Sequence, residues 1–338
     1  MNFGSDTTAP AHPRVLEALA RVNSGAEASY GSDAVTARLR SVIAQVFETD
    51  DFDFWLTASG TASNALALSC FCPPTGAILC HEEAHIERDE RGAPAFFSGG
   101  GQLRLLPGFG AKIDPPAFAR AVDASNPDFV HETPLHAVSL TNLTECGLAY
   151  QPAEIAAFAG RAKAAGLAVH LDGARLANAL IGTGMMPAAM TWQAGVDVLT
   201  LGLTKTGAIG CEIILLFGAA RAKAAELRIR AKRSGHMPPK MRFLAAQAEA
   251  MLEDGLWLKL AGHANAMARD LAEGFERKGF KLAYPREGNE VFVMLPEASA
   301  RKLQAAGAAF YPWPGGASRF VCSWSSDAAG VSAVLGAL

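Results

Sequence analysis

Two apolar, strand-like runs near the middle of the chain each end in residues that can do chemistry. The first, 169–171, is followed by Asp172, and the second, 198–203, is followed by Thr204 and Lys205. The 33 positions that separate Asp172 from Lys205 leave room for one helical crossover between neighbouring parallel strands. The acid and the amine can therefore emerge side by side at one edge of a sheet.

A carboxylate and a primary amine in this arrangement meet two chemical needs of pyridoxal phosphate. The aldehyde of that cofactor forms a Schiff base with an amine, here Lys205, and its ring nitrogen stays protonated beside a carboxylate, here Asp172. In the alternative interpretation, Asp172 caps a helix that starts at Ala174, and Lys205 is a solvated loop residue. The uncharged, strand-like run before the lysine favours the cofactor site.

The segment 57–64 has the composition of an anion-binding turn. It follows a strand-like run and opens a helix, so the backbone N–H groups around Ser59, Gly60 and Thr61 can hold a phosphate at the start of that helix. A glycine and a capping threonine also occur in many strand-to-helix turns for conformational reasons alone. No G-x-G-x-x-G fingerprint follows the first strands, which argues against a dinucleotide.

Two histidines and two arginines are further candidates for the site. His85 and His131 each follow a strand-like run, and an imidazole can stack on a pyridine ring or exchange protons with a substrate hydroxyl. Arg175 and Arg319 can hold a substrate carboxylate in two-pronged fashion. The alternatives are an ordinary core or surface histidine and, for the arginines, an interdomain salt bridge.

Composition excludes several classes of protein. The 338 residues are 50% hydrophobic and 19% charged, as in a compact soluble protein of two domains. The net charge of −3 gives no basic surface for nucleic acid. We expect a cytoplasmic protein without membrane attachment, because the chain starts with no signal-like segment and has no apolar run of bilayer length. The six cysteines lack paired C-x-x-C spacing, so we expect reduced core residues and no metal site.

Strand-like and helical runs alternate over most of the chain, which predicts an α/β fold with a mostly parallel sheet covered on both faces. The predicted strands of the large domain are 52–57, 77–81, 103–106, 137–141, 168–172, 196–201 and 209–216, and the clearest helices are 34–47 and 154–165.

The alternation weakens after residue 233, where a Ser-Gly-His-Met-Pro-Pro segment breaks a helix. We therefore predict a large domain at 1–235, which includes an N-terminal arm, and a small α+β domain at 236–338. The small domain is predicted to hold a long helical region at 241–278, strands at 291–295 and 319–323, and a helix at 298–306.

With these residues assembled, the chain resembles the L-threonine aldolases, fold-type I pyridoxal phosphate enzymes that are grouped with β-eliminating lyases. The resemblance runs from about Ser5 to Ser323. It rests on the order and spacing of short motifs: Ser5-Asp6-Thr7, Tyr30-Gly31-Ser32-Asp33, Ser59-Gly60-Thr61-Ala62-Ser63-Asn64, Ala84-His85, Ser139-Leu140, His170-Leu171-Asp172-Gly173-Ala174-Arg175 and Leu203-Thr204-Lys205.

The resemblance implies a role for each candidate. Lys205 carries the cofactor, Asp172 pairs with its ring nitrogen and His85 stacks on the ring. The phosphate is bound by Gly60 and Thr61 with Lys232 or Arg233, and Ser59, Thr204 and Arg175 complete the cofactor site. The substrate carboxylate is bound by Ser5, Arg175 and Arg319, while His131 lies near the β-hydroxyl. Tyr30 is expected from a neighbouring subunit of a homotetramer, a dimer of dimers with sites at its interfaces.

Two segments depart from the family pattern and leave the aldehyde preference open. The run 141–147 replaces an E-N-T-H-N-type segment, and the run 235–240 replaces a G-G-G-M segment. The expected reaction is cleavage of L-threonine, L-allo-threonine or a relative such as phenylserine to glycine and an aldehyde, with His131 or a water held by His85 and His131 as proton acceptor. Alternatives are β-elimination, transamination or racemisation with the same cofactor, and a non-catalytic cofactor-binding homologue.

Overall fold

The computed structural model describes all 338 residues. Ten strands are present: β1 Phe52–Thr57, β2 Ala77–His81, β3 Gln102–Leu106, β4 Leu135–Thr141, β5 Ala168–Gly173, β6 Val198–Gly202, β7 Glu212–Phe217, β8 Glu290–Val293, β9 Tyr311–Trp313 and β10 Ala317–Val321. The α-helices are α1 Pro13–Val22, α2 Ala34–Phe47, α3 Gly60–Ser69, α4 His85–Arg88, α5 Ala93–Ser98, α6 Pro115–Ala124, α7 Pro152–Ala164, α8 Leu176–Thr183, α9 Pro187–Met190, α10 Ala224–Arg233, α11 Arg242–Leu252, α12 Leu256–Arg277, α13 Glu297–Ala305 and α14 Ala328–Gly336.

A seven-stranded sheet, in the order β1-β7-β6-β5-β4-β2-β3, forms the centre of the molecule. The strands from β3 across to β6 are parallel, and β7 runs against both β6 and β1. The predicted mostly parallel sheet is therefore confirmed. Six strands end at the same edge and β7 begins there, so Thr141, Asp172, Gly202 and Glu212 lie at neighbouring register positions of that edge.

Local sequence explains how the flanking helices form. Helix α2 begins after Asp33, whose carboxylate accepts a hydrogen bond from the backbone N–H of Thr36 at 2.8 Å. Its residues Leu39, Ile43 and Phe47 recur at helical spacing and are fully buried. The cap at its N-terminus thus favours the start of this helix, and its apolar face packs mainly against α11.

The boundary between the two cores differs from the predicted one at 235–236. Helix α11 packs against α1 and α2, and the large core continues into α12 as far as Ala261. The second core begins at Ala268 of the same helix, covers the small sheet β8-β10-β9 and includes Phe3 of the N-terminal arm. The Ser-Gly-His-Met-Pro-Pro segment is a turn between two helices of the large domain, because the apolar face of α11 needs that domain as its cover.

No helix of the structure is both long and apolar enough to cross a membrane. The six cysteines are all buried, and none of them forms a disulfide.

Candidate active site

A cavity of about 300 Å³ opens at the edge of the large sheet where the parallel strands end. Ligand sites of open α/β sheets lie at this edge. The turn between β1 and α3, the ends of β4, β5 and β6, and the start of β7 all contribute to its wall. The sequence-predicted residues on this wall are Ser59, Gly60, Thr61, His85, Asp172, Arg175, Thr204 and Lys205.

Asp172 is the buried carboxylate at the end of β5. Its Oδ1 accepts a hydrogen bond from the backbone N–H of Ala174 at 2.9 Å, and its Oδ2 accepts one from the side-chain amide of Asn64 at 2.8 Å. The first bond closes a local turn and does not cap a helix, because α8 begins only at Leu176, so the alternative interpretation of Asp172 as a helix cap is wrong. The second bond comes from Asn64 on helix α3, which begins at the anion-binding turn. It therefore fixes the carboxylate of Asp172 relative to that turn.

Lys205 follows β6 in a short 3₁₀ turn, Thr204–Thr206, and reaches the same cavity as Asp172. Burial lowers the pKa of its amine and the nearby charge of Arg175 lowers it further, against the opposing charges of Asp6, Asp172 and Glu290. The amine is thus easier to deprotonate than that of a surface lysine, as a nucleophile must be. The hydroxyl of Thr204 accepts a hydrogen bond from the backbone N–H of Cys211 at 3.2 Å and holds the turn.

The start of α3 has the features of an anion site. Its first amides have no acceptors within the helix, and the side chain of the N-cap residue Ser59 does not cap them. Gly60 has no left-handed backbone angle, and a Cβ on it would meet no atom of the chain within 4 Å. Neither conformation nor packing requires glycine here. The missing side chain leaves room beside the free amides.

Lys232 and Arg233, the two basic residues expected at the phosphate, do not line the cavity of their own chain. The ammonium of Lys232 lies 4.6 Å from the ring centre of Tyr30, and Arg233 borders a separate groove beside Phe96 and Phe97. Tyr30 itself lines a different pocket, on the outer side of β1. The structure therefore brings Lys232 and Tyr30 together, but it places neither of them with Lys205.

His85 is oriented by an acid that sequence reasoning missed. Its Nδ1 lies 2.9 Å from Oε1 of Glu90, whose side chain is fully buried. Burial alone lowers the pKa of His85, but the bond to Glu90 and the charge of Asp172 outweigh it, so the pKa is raised. The amide of Asn64 also donates to Glu90, at 2.9 Å. His85, Glu90, Asn64 and Asp172 thus form one hydrogen-bonded chain along the cavity.

His131 is not part of this cavity, and the strand predicted before it does not form. Residues 129–132 are an exposed turn ahead of β4, and the imidazole of His131 packs 5.3 Å from the ring of Phe129. The seven residues of β4 separate this turn from the cavity edge, a distance of about 20 Å at the usual rise per residue. Within one chain His131 cannot reach Lys205.

The arginines that were candidates for a substrate carboxylate are tied to acids of the chain. Arg175 donates to both oxygens of Asp6 in the N-terminal arm, at 2.7 and 3.0 Å, and one of its nitrogens lies 3.7 Å from Glu290. Burial alone raises the pKa of Asp6, but Arg175 and Lys205 outweigh it and hold that pKa at about 2.

Arg319 lies behind Arg175, off the cavity wall. It donates to Oε1 of Glu290 at 2.8 and 3.0 Å, within the small sheet. Ser5 also lies off the wall and bonds to Thr7, which does line the cavity. Glu290 therefore lies between the two arginines and contacts both.

Two further acids line the cavity, the half-buried Glu145 and the buried Glu212. Glu145 accepts a hydrogen bond from the backbone N–H of His85 at 2.8 Å, and Glu212 accepts one from that of Leu203 at 2.8 Å. Burial raises the pKa of each to about 7. Two of the missed residues had a sequence signal, because Asn64 lies one helical turn after Gly60 and Glu145 lies in the run 141–147 that departs from the family pattern. Glu90 and Glu212 had none.

Known proteins with similar sequences and folds agree with this geometry. The family model for beta-eliminating lyases matches residues 2–298. A low specificity L-threonine aldolase of Pseudomonas aeruginosa is 41% identical, over 96% of this chain and 93% of that protein. Another from a Pseudomonas strain is 40% identical, over 97% and 94%.

Solved structures give the same assignment. The threonine aldolase of Leishmania major has a TM-score of 0.92 at 27% identity, over 99% of this chain and 97% of that one. A Sphingomonas wittichii serine palmitoyltransferase, at a TM-score of 0.73 and 14% identity, covers 100% of this chain and 86% of its own and shares the fold alone. The predicted fold-type I architecture is confirmed. The chain belongs to the beta-eliminating lyase family, and within that family it is a lyase of the low-specificity L-threonine aldolase group.

Proposed function

We propose that the protein binds pyridoxal phosphate and cleaves L-threonine, L-allo-threonine or a related β-hydroxy-α-amino acid to glycine and an aldehyde. The observation that carries the proposal is the convergence of Lys205, Asp172, His85 and the free amides of α3 on one cavity. The relatives named as low specificity L-threonine aldolases support the choice of substrate class.

The donor set of the cavity fits the cofactor at each of its polar groups. Lys205 is a buried amine suited to the aldehyde, and Asp172 is a carboxylate fixed by two hydrogen bonds and suited to a protonated ring nitrogen. The amides that start α3, with the space left by Gly60, suit the phosphate. His85 is the residue we assign to the face of the ring, in an orientation that Glu90 holds.

Each of these site residues then has one role in the reaction. When bound, pyridoxal phosphate draws the electron pair of a broken Cα bond into its ring. Asp172 favours the charge on the ring nitrogen that this requires, and Lys205 exchanges its place for the substrate amine. Arg175 holds the substrate carboxylate while Asp6 and Glu290 fix the direction of its guanidinium. A fixed carboxylate and amine leave the Cα–Cβ bond in one orientation.

The subunit arrangement belongs to the same proposal. Lys232 and Tyr30 lie together outside the cavity of their own chain, Tyr30 is partly exposed, and exposed apolar residues such as Ile229 lie on the same helix as Lys232. We propose a homotetramer in which such residues, and His131, serve the cavity of a neighbouring subunit. Cross-linking and light scattering of the purified protein test this part.

Product identity tests the proposed reaction. The purified protein is incubated with pyridoxal phosphate and L-threonine, L-allo-threonine or phenylserine, and glycine and aldehyde are both quantified. The proposal predicts equal amounts of the two. Ammonia and a 2-oxo acid in their place would assign the chain to β-elimination, the reaction after which its family is named.

A further inference from the structure

The carboxyl group of Glu145 lines the cavity but has no role in the reaction as described above. The residue lies in the loop that follows β4, and its side chain lines the cavity beside His85. Its Oε1 accepts the hydrogen bond from the backbone N–H of His85. Its Oε2 is buried and makes no hydrogen bond of normal geometry within the chain, although the hydroxyl of Thr141 lies near the carboxyl group.

A buried oxygen without a partner costs free energy, because water no longer solvates it. At a cavity wall, such an atom indicates a ligand group that donates to it. A hydroxyl is the group of a β-hydroxy-α-amino acid that can donate there, since the carboxylate of the substrate only accepts and its amine takes the place that Lys205 vacates. The position beside His85 also separates Glu145 from Arg175, which holds the other end of the substrate.

The surroundings of Glu145 suit proton exchange near neutral pH. Burial, together with the charge of Asp172 on β5, raises the pKa of its carboxyl group to about 7, against the lowering effect of the N–H of His85 on α4 and the hydroxyl of Thr141. A general base works best when its pKa is close to the working pH.

Other candidates for this proton are engaged or distant. His131 lies at the opposite edge of the sheet, and the imidazole of His85, whose Nδ1 is bound to Glu90, is the group assigned above to the face of the cofactor ring. Glu212 bonds next to Lys205, on the β7 side of the cavity. Glu90 receives hydrogen bonds from His85 and Asn64 at Oε1, and its Oε2 also has no partner, but its side chain is fully buried behind His85, out of reach of a substrate hydroxyl.

We propose that Glu145 is a catalytic residue whose free Oε2 takes the β-hydroxyl proton of the substrate as the Cα–Cβ bond breaks. The O–H electron pair becomes the second bond of the aldehyde C=O, and the Cα–Cβ pair moves to Cα. A proton taken up at Cα from Lys205 or water completes glycine, and the proton on Glu145 returns to solvent, so no proton is consumed overall. The inference rests on the proposed function.

The test compares Glu145→Gln with Glu87→Gln as a matched control. The glutamine keeps an oxygen for the N–H of His85 but cannot take the proton. Glu87 is exposed on α4 and loses the same charge away from the cavity. Infrared titration of the cofactor-free proteins should show that the protonated-carboxyl absorbance ionising near pH 7, to which Glu212 also contributes, is smaller by one carboxyl group in Glu145→Gln than in the wild type and in Glu87→Gln.

Two reactions of the loaded enzymes locate the effect. Cleavage of L-threonine should fall by roughly 10²–10⁴-fold in Glu145→Gln, while exchange of the α-proton of glycine in D₂O, which needs no hydroxyl proton acceptor, should stay within threefold of wild type. Cleavage within threefold of wild type, or an equal loss of both reactions, would overturn the inference. If Glu145→Gln does not fold, Glu145→Asp decides by the same pair of rates. A wild type that releases no glycine would instead overturn the proposed function.

Discussion

At Gly60, the fold does not require a glycine, whereas the proposed binding of the phosphate does. A methyl group at this position meets no atom of the chain within 4 Å, and the backbone there is not left-handed. Replacing a helical glycine by alanine stabilises a fold by about 0.5–1 kcal/mol when nothing clashes. We therefore expect Gly60→Ala to raise the melting temperature of the cofactor-free protein by roughly 1–2 °C.

The same methyl group fills the space that we assign to the phosphate. Loss of one charge-assisted hydrogen bond at that site costs about 1.5–3 kcal/mol, which corresponds to a roughly 10–150-fold weaker affinity for the cofactor. Gly60→Ala should therefore make the protein more stable without cofactor and poorer at binding it. These two effects have opposite signs, which a merely damaging substitution cannot produce.

Gly160→Ala is the matched control, because Gly160 lies on the exposed face of α7 and a methyl group there would also meet no atom of the chain within 4 Å. The assays are thermal melting without cofactor and spectroscopic titration with pyridoxal phosphate. The control should gain stability and keep its affinity. An unchanged affinity in Gly60→Ala would refute the placement of the phosphate at the start of α3.

Two further substitutions test the electrostatics of the site. Burial raises the pKa of Glu212 from 4.5 to about 7, so the folded state loses stability as the pH rises from about 4.5 through 7. Glu212→Gln should remove up to about 3 kcal/mol of that loss. The measurement is urea unfolding of both proteins at pH 5 and pH 8, and an equal change in unfolding free energy between the two pH values in both proteins would contradict the prediction. Arg319 donates to Glu290 through two nitrogens and does not line the cavity. Arg319→Lys should therefore cost about 1 kcal/mol of unfolding free energy and raise KM for L-threonine less than tenfold, with kcat unchanged. A hundredfold fall in kcat/KM would instead show that Arg319 binds the substrate.

The parts of the site that lie at strand ends could be predicted from the sequence. Asp172, Lys205 and Gly60 each follow a clear apolar run, and the parallel sheet brings such ends together at one edge. Glu90 and Glu145 could not be predicted in this way. Each is a single acid whose partner, His85, is fixed only by tertiary packing.

The strand expected before His131 and the domain boundary expected at the segment 234–239 differ from the structure for a related reason. Phe129 and Val130 have the composition of a strand but are exposed in a turn, and periodicity does not distinguish exposed apolar residues from buried ones. A Gly-Pro break looks the same at a domain boundary and between two helices of one core. The packing of α11 against α1 and α2 decides between them.

That the cavity at the sheet edge is the cofactor site is the central claim, and the attachment of the cofactor to Lys205 tests it most directly. The protein is incubated with pyridoxal phosphate, reduced with borohydride, digested and mapped by mass spectrometry, with Lys205→Ala treated in parallel. The structure predicts one pyridoxyl adduct per chain, on Lys205, and no stoichiometric adduct in the variant. A stoichiometric adduct on another lysine, such as Lys232, or equal labelling of both proteins, would contradict the claim.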